Sequence, residues 1–129
     1  MAEASFFKLS EIILPIRTVS EANVSEHWSK KSARHKLQKK TVKLRAYSIP
    51  KTLPIHIKFT RISPRKLDAH DNLRCSMKWI VDEVCAQITG NSVAGRADDD
   101  HRITFEYDQV SGSPSMVKIE FFFKSVFLN

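Results

Sequence analysis

"LPIHIKFTRISPRKLDAHDNLRCSMKWIVDEVCAQI", residues 53–88, decides the fold. Its first ten residues alternate. Ile55, Ile57 and Phe59 point one way and His56, Lys58 and Thr60 the other, which is the period of a half-buried strand. "SPRKLDAH" breaks that period as a turn or loop. From Asn72 to about Ile88 the period becomes helical, with Leu73, Met77, Ile80, Val81, Val84 and Ile88 as the buried stripe. A strand, a short loop and an amphipathic helix in that order predict a sheet covered by helices.

Working outward, "FFKLSEIILPIR" (residues 6–17) is apolar and β-capable, and Pro15 confines it to an edge or a strand end. No Gly or Pro occurs from Val19 to Ile49, which permits a long helix from roughly Ser25 to Tyr47. Trp28, Ala33, Leu37, Thr41 and Leu44 form a thin apolar stripe along it. Beyond Ile88, Gly90 and Asn91 supply helix-stopping chemistry and open the loop "TGNSVAGRADDD". "RITFEY" alternates again, with Ile103, Phe105 and Tyr107 inward. "MVKIEFFFKSVFL" is a closing strand with Val117, Ile119 and Phe121 on one face. The order β–α–β–α–β–β predicts a mixed α/β (α+β) fold: about four strands in a mixed sheet, two long helices, one domain over residues 1–129. A short turn joins the last two strands, so they are expected to pair antiparallel.

Composition narrows the partners. The chain has 129 residues, 42% of them hydrophobic, which suits one ordinary core rather than disorder. Lys and Arg number 21 against 14 acids, for a net charge of +7. That balance points to a polyanion, nucleic acid before an anionic membrane surface. Cys75 and Cys85 belong to no CxxC, which argues against a zinc site or disulfide framework and for reduced thiols in the cytoplasm. No apolar run approaches the roughly 20 residues that span a bilayer. The first residues lack a basic leader followed by a long apolar block, so no export signal is expected.

The positive charge is concentrated. Between Lys30 and Arg45 there are eight Lys or Arg residues and no acid. Lys30, Lys31, Arg34, Lys36, Lys39, Lys40 and Lys43 are therefore candidate phosphate contacts, joined by Arg65 and Lys66 in the loop before Asp68. Against that background the acids of residues 67–83 stand out. On a helix, Asp71, Cys75, Lys78, Asp82 and Cys85 fall on one side, opposite the apolar stripe. The plain account is a solvated face, with Asp71 as N-cap and Lys78–Asp82 as an i,i+4 pair worth a few tenths of a kcal/mol. The sharper account adds Asp98, Asp99 and Asp100, whose mutual repulsion needs solvation, arginines or a cation. Mg²⁺ takes hard oxygen ligands and is held by one or two carboxylates plus phosphate oxygens. If the strand after Arg102 lies beside the helix after Asn72, Asp71 and Asp100 can meet at one rim, where a metal could assist in-line attack on a phosphodiester. Lys78 on the same face could stabilise developing charge. His70 is either a general base beside such a site or a loop histidine without a role. Trp28 and Trp79 either stack on bases or pack in a core or dimer contact.

"PRKLDAHDNLRCSMKWIVDEV", "ADDDHRITFEYDQ" and "VKIEF" resemble the RusA-type Holliday-junction resolvases and their phage-encoded relatives. The resemblance spans about Leu14 to the C-terminus, with specific motifs confined to Pro64–Gln109. It implies a small α/β homodimer that cuts four-way and other branched DNA with Mg²⁺ or Mn²⁺ in recombination and repair. The "DNL" of that family falls on Asp71, Asn72 and Leu73, which implies Asp71 as a metal ligand. Its later "DD" falls on Asp99 and Asp100. Its earlier acid falls on Ala69, with Asp68 one residue further out and able to reach in through a bulge. The type member's lysine position holds Cys75 here, and Lys78, one turn on, matches the spacing of some phage relatives. Asp68, Asp71, Asp99 and Asp100 are thus the expected metal ligands, and Asp71, Asp100, Asp68 and Lys78 the expected catalytic set. The contrasting expectations are a non-catalytic DNA-binding accessory protein on the same scaffold and a metal-dependent ribonuclease.

Overall fold

The computed structural model describes residues 2–21, 26–68, 70–90 and 100–128. Its elements are β1 (Ala2–Leu14), α1 (Trp28–Lys43), β2 (Ile55–Ser63), α2 (His70–Ser76), α3 (Lys78–Thr89), β3 (Ile103–Ser111) and β4 (Met116–Leu128), with a 3₁₀ turn at Ala46–Ser48. This is the mixed α+β fold expected: one four-stranded mixed sheet with helices on one face. The strands lie in the order β1-β4-β2-β3.

β2, the helices and β3 form a parallel crossover unit, with Ile55 opposite Ile103 and Ser63 opposite Ser111. β4 runs antiparallel to both β1 and β2. The expected β3–β4 hairpin is therefore absent: the two strands run in opposite directions, but β2 lies between them. The parallel crossover seats β3 beside β2. The residues from Gly112 to Ser115 then need only step over one strand, roughly two inter-strand spacings of 4.8 Å. β4 gains a partner on each side, which suits its apolar run. β1 is an edge strand, as Pro15 predicts, and its register shifts between Lys8 and Ser10.

The inner sheet face carries Ile12, Leu14, Ile55, Ile57, Phe59, Ile103, Val117, Ile119 and Phe121. They meet Leu73, Met77, Ile80, Val81, Val84 and Ile88 of the helices, all buried as the periodicity predicts. On the outer face His56, Lys58 and Thr60 lie opposite Thr104, Glu106 and Asp108, and Phe6 and Phe122 pack against His56. Gly90 ends α3 with φ +74°, and its N–H bonds the Ala86 carbonyl at 2.8 Å, a left-handed cap that favours glycine.

Two helical expectations change. The single second helix is two, broken at Met77 (φ −109°, ψ 0°). The Ser76 hydroxyl donates to the Leu73 carbonyl at 2.7 Å. That is the acceptor the Met77 N–H would use in a continuous helix, and Met77 N–H bonds the Arg74 carbonyl instead, at 3.1 Å. The first helix also turns a different side inward. Its buried residues are Gln38, Thr41 and Val42, while Leu37 is 54% and Trp28 74% exposed. The inward face is fixed by polar contacts instead. Glu21 accepts from Arg34 Nε at 2.8 Å and contacts His35 Nε2 at 2.9 Å, and Glu26 takes the other end of the Arg34 guanidinium. His35 stacks on Trp79 at 4.3 Å, which places α1 against α3. Among the described residues no helix is long and apolar enough to cross a membrane.

Candidate functional site

A groove of about 480 Å³ lies between α2, α3 and β3, lined by Asp71, Arg74, Cys75, Lys78, Val81 and Tyr107. Its position follows from the crossover. α2 starts where β2 and β3 end, and the loop before it is tied to β3 by two hydrogen bonds: Leu67 N–H to Gln109 Oε1 at 2.9 Å, and Gln109 Nε2 to the Leu67 carbonyl at 3.0 Å. Asp71 stands in the first turn of α2 and Lys78 opens α3, both exposed. The break at Met77 thus leaves Asp71, Cys75 and Lys78 on one wall, as helical projection predicts. Cys85 departs from that face: it is fully buried in the core. Asp68 is exposed in the loop just before α2.

A buried arginine secures the same end of the sheet. Arg61, 3% exposed on β2, donates Nε to Thr18 Oγ1 (3.1 Å), Nη2 to the Thr18 carbonyl (3.1 Å) and Nη1 to the Arg65 carbonyl (2.8 Å). Burial, with Arg17 nearby, draws its pKa below the ordinary arginine value. It clasps the β1–α1 loop to the loop carrying Arg65 and Lys66, both exposed.

Asp100 does not join Asp71. It lies before β3, at the end where the Ile55 N–H bonds the Arg102 carbonyl. The strand from Ile103 to Gln109 alone runs roughly 20 Å. The helix and strand are neighbours as expected, but α2 begins at the far end of β3, so within one chain the two acids cannot share a rim. Asp100 is engaged locally instead. Arg102 donates Nη2 to Oδ2 at 2.7 Å, Nε to Oδ1 at 3.0 Å, and its backbone N–H to Oδ1 at 3.0 Å. These bonds from the Arg102 side chain, then its backbone, hold the carboxyl below the usual carboxylate range. Asp99 lies outside the described residues. Among the described residues no three His, Cys, Asp or Glu side chains converge as a metal-holding group.

The basic residues divide. Lys30, Lys36, Lys40 and Lys43 are exposed and Lys31 half-buried. Arg34, expected to face phosphate, is turned inward to Glu21 and Glu26. Lys39 and Lys78 flank the Trp79 ring, at 5.2 and 5.3 Å from its centroid, and so connect α1 to the groove. Trp79 is thus an inter-helix residue, whereas Trp28 lies outside the core.

Sequence reasoning missed Arg74 and Tyr107. The Arg74 guanidinium lies 5.8 Å from the Tyr107 ring centroid, and Tyr107 stacks on Phe59 at 5.6 Å. The available signals were Tyr107 as the last inward residue of "RITFEY" and Arg74 one turn after Asp71. No protein-family model matches the chain, and no curated protein matches it either.

Proposed function

We propose that the chain binds branched DNA and cuts it by metal-assisted phosphodiester hydrolysis at the Asp71–Lys78 groove, as a RusA-like endonuclease working as a cytoplasmic homodimer. The observation that carries this reading is the common wall: a carboxylate and a lysine seven residues apart line one groove, with Arg74 between them. Mg²⁺ or Mn²⁺ asks little of a protein, one or two carboxylates together with waters and phosphate oxygens. Asp71 and the nearby Asp68 fit that requirement. Asp100 can add to it only from a second copy of the chain. When bound, the cation supplies a Lewis acid for the phosphodiester and an acidified water. The chain's own residues do the rest. Lys78 holds phosphate oxygens and balances charge on the leaving oxygen, and Arg74 adds positive charge beside it. The exposed lysines of α1, with Arg65 and Lys66, hold the flanking backbone.

The separation of Asp100 from Asp71 favours one second reading, a DNA-binding accessory protein that does not cut. A four-way junction incubated with the protein in Mg²⁺ and in Mn²⁺ separates the two. Strand cleavage in either metal is expected. Tight junction binding without cleavage in both would give the second reading.

A further inference from the structure

We propose that the groove between α2, α3 and β3 seats one unstacked nucleobase of the bound strand, its face against Tyr107 and Arg74 and its phosphate at Lys78. This deepens the reading above. It rests on the nucleic-acid part of that reading and not on cleavage. A site for phosphate or a metal alone has no use for apolar walls, yet this groove has them: Val81 and the Tyr107 ring, beside the Cys75 thiol. Its volume of about 480 Å³ lies in the range of small-molecule sites, which is ample for one nucleotide.

The walls are flat and braced. Buried Phe59 stacks behind Tyr107 with only 18° between the rings, so the tyrosine plane is held from within the core. The Arg74 guanidinium lies over that ring, 5.8 Å from its centroid, and from the exposed side of α2 it has only to lift outward for a base to enter between the two planes. Bases stack on both aromatic rings and guanidinium planes. Access is open, because β3 is an edge strand of the sheet. A strand whose phosphates follow the α1 lysines past Lys39 reaches Lys78, and one base can turn in at that point. A base paired within a duplex cannot offer its face. The ligand is therefore DNA with an unpaired or easily unpaired nucleotide, as at a branch point.

Cys75 reports on the groove without mutation. It is exposed on the groove wall while Cys85 is buried, so a maleimide labels Cys75 selectively. The experiment uses the full chain in EDTA and a forked DNA with a single abasic position walked along one arm. The intact fork is expected to slow Cys75 alkylation. One abasic position should abolish that protection and weaken binding about tenfold. Arg74→Ala, at an exposed site that leaves the core untouched, should erase the difference between intact and abasic forks, as should Tyr107→Leu. If abasic forks bind and protect as well as the intact fork at every position, the proposal is overturned while DNA binding stands. If no fork binds at all, both fall. With no metal present, a failure to cut cannot imitate either result.

Discussion

At the scale of single residues, Arg61 carries more of the fold than its charge suggests. A buried guanidinium normally meets a carboxylate, but this one is satisfied by the Thr18 carbonyl and hydroxyl and by the Arg65 carbonyl. Lysine cannot span both loops with one ammonium. Arg61→Lys is therefore expected to cost about 2 kcal/mol in urea unfolding, with the slope unchanged. Strand alternation places Arg61 inward beside Phe59, so its burial was legible, but its main partner, Thr18, lies 43 residues away in the chain. Glu21 is a second such residue, its side chain 17% exposed. Burial raises its pKa, but hydrogen bonds from His35 and Arg34 outweigh that and hold the carboxyl below the ordinary value of 4.5. A depressed carboxylate stabilises the fold above its unfolded pKa and loses that contribution as pH falls through the folded one. Acidification below 4.5 should thus cost the native chain about 1 kcal/mol more than Glu21→Gln, measured as unfolding midpoints across that range.

At the scale of elements, the second helical segment shows what periodicity can and cannot give. Its buried stripe was fully legible, because six apolar residues at helical spacing meet the sheet. The break was not, since no Gly or Pro marks it. It arises from one hydroxyl, Ser76, taking the Leu73 carbonyl. Ser76→Ala should return that acceptor to the Met77 N–H and join α2 to α3. Stability should change by about 1 kcal/mol or less, but the wall bearing Asp71 should turn relative to Lys78. The expected signature is new amide-exchange protection at Met77, with reduced cleavage. The first helix misleads for the opposite reason. Its inward side is held by Arg34, His35, Gln38 and Thr41 with Val42 as its one buried apolar residue, so the stripe through Trp28 and Leu37 does not mark the core. Its charges are consequently unequal. Lys36→Ala with Lys40→Ala should weaken junction binding and lower the salt slope by about two, whereas Arg34→Ala should chiefly lower stability. A salt slope unchanged in the lysine variant would place the DNA backbone elsewhere.

At the scale of the whole molecule, topology decides which acids can cooperate. The strand–helix–strand order of residues 53–111 was readable, and with it one end of the sheet as the place for Asp68, Asp71 and Lys78. The meeting of Asp71 with Asp100 was not a sound expectation. A parallel crossover brings the helix start and the following strand's start to opposite ends, and here Asp100 is bound by Arg102. The hairpin expected of β3 and β4 failed on a related point, because a short turn fixes direction but not adjacency once β2 can lie between. What survives is a groove at the closed end of the crossover, with basic α1 leading into it. The most direct test of that account is junction cleavage by Asp71→Asn in Mg²⁺, with junction affinity measured on the same preparation. Cleavage at least about 100-fold slower, with affinity nearly unchanged, is expected of Asp71→Asn. Cleavage by Asp71→Asn at the native rate would contradict it.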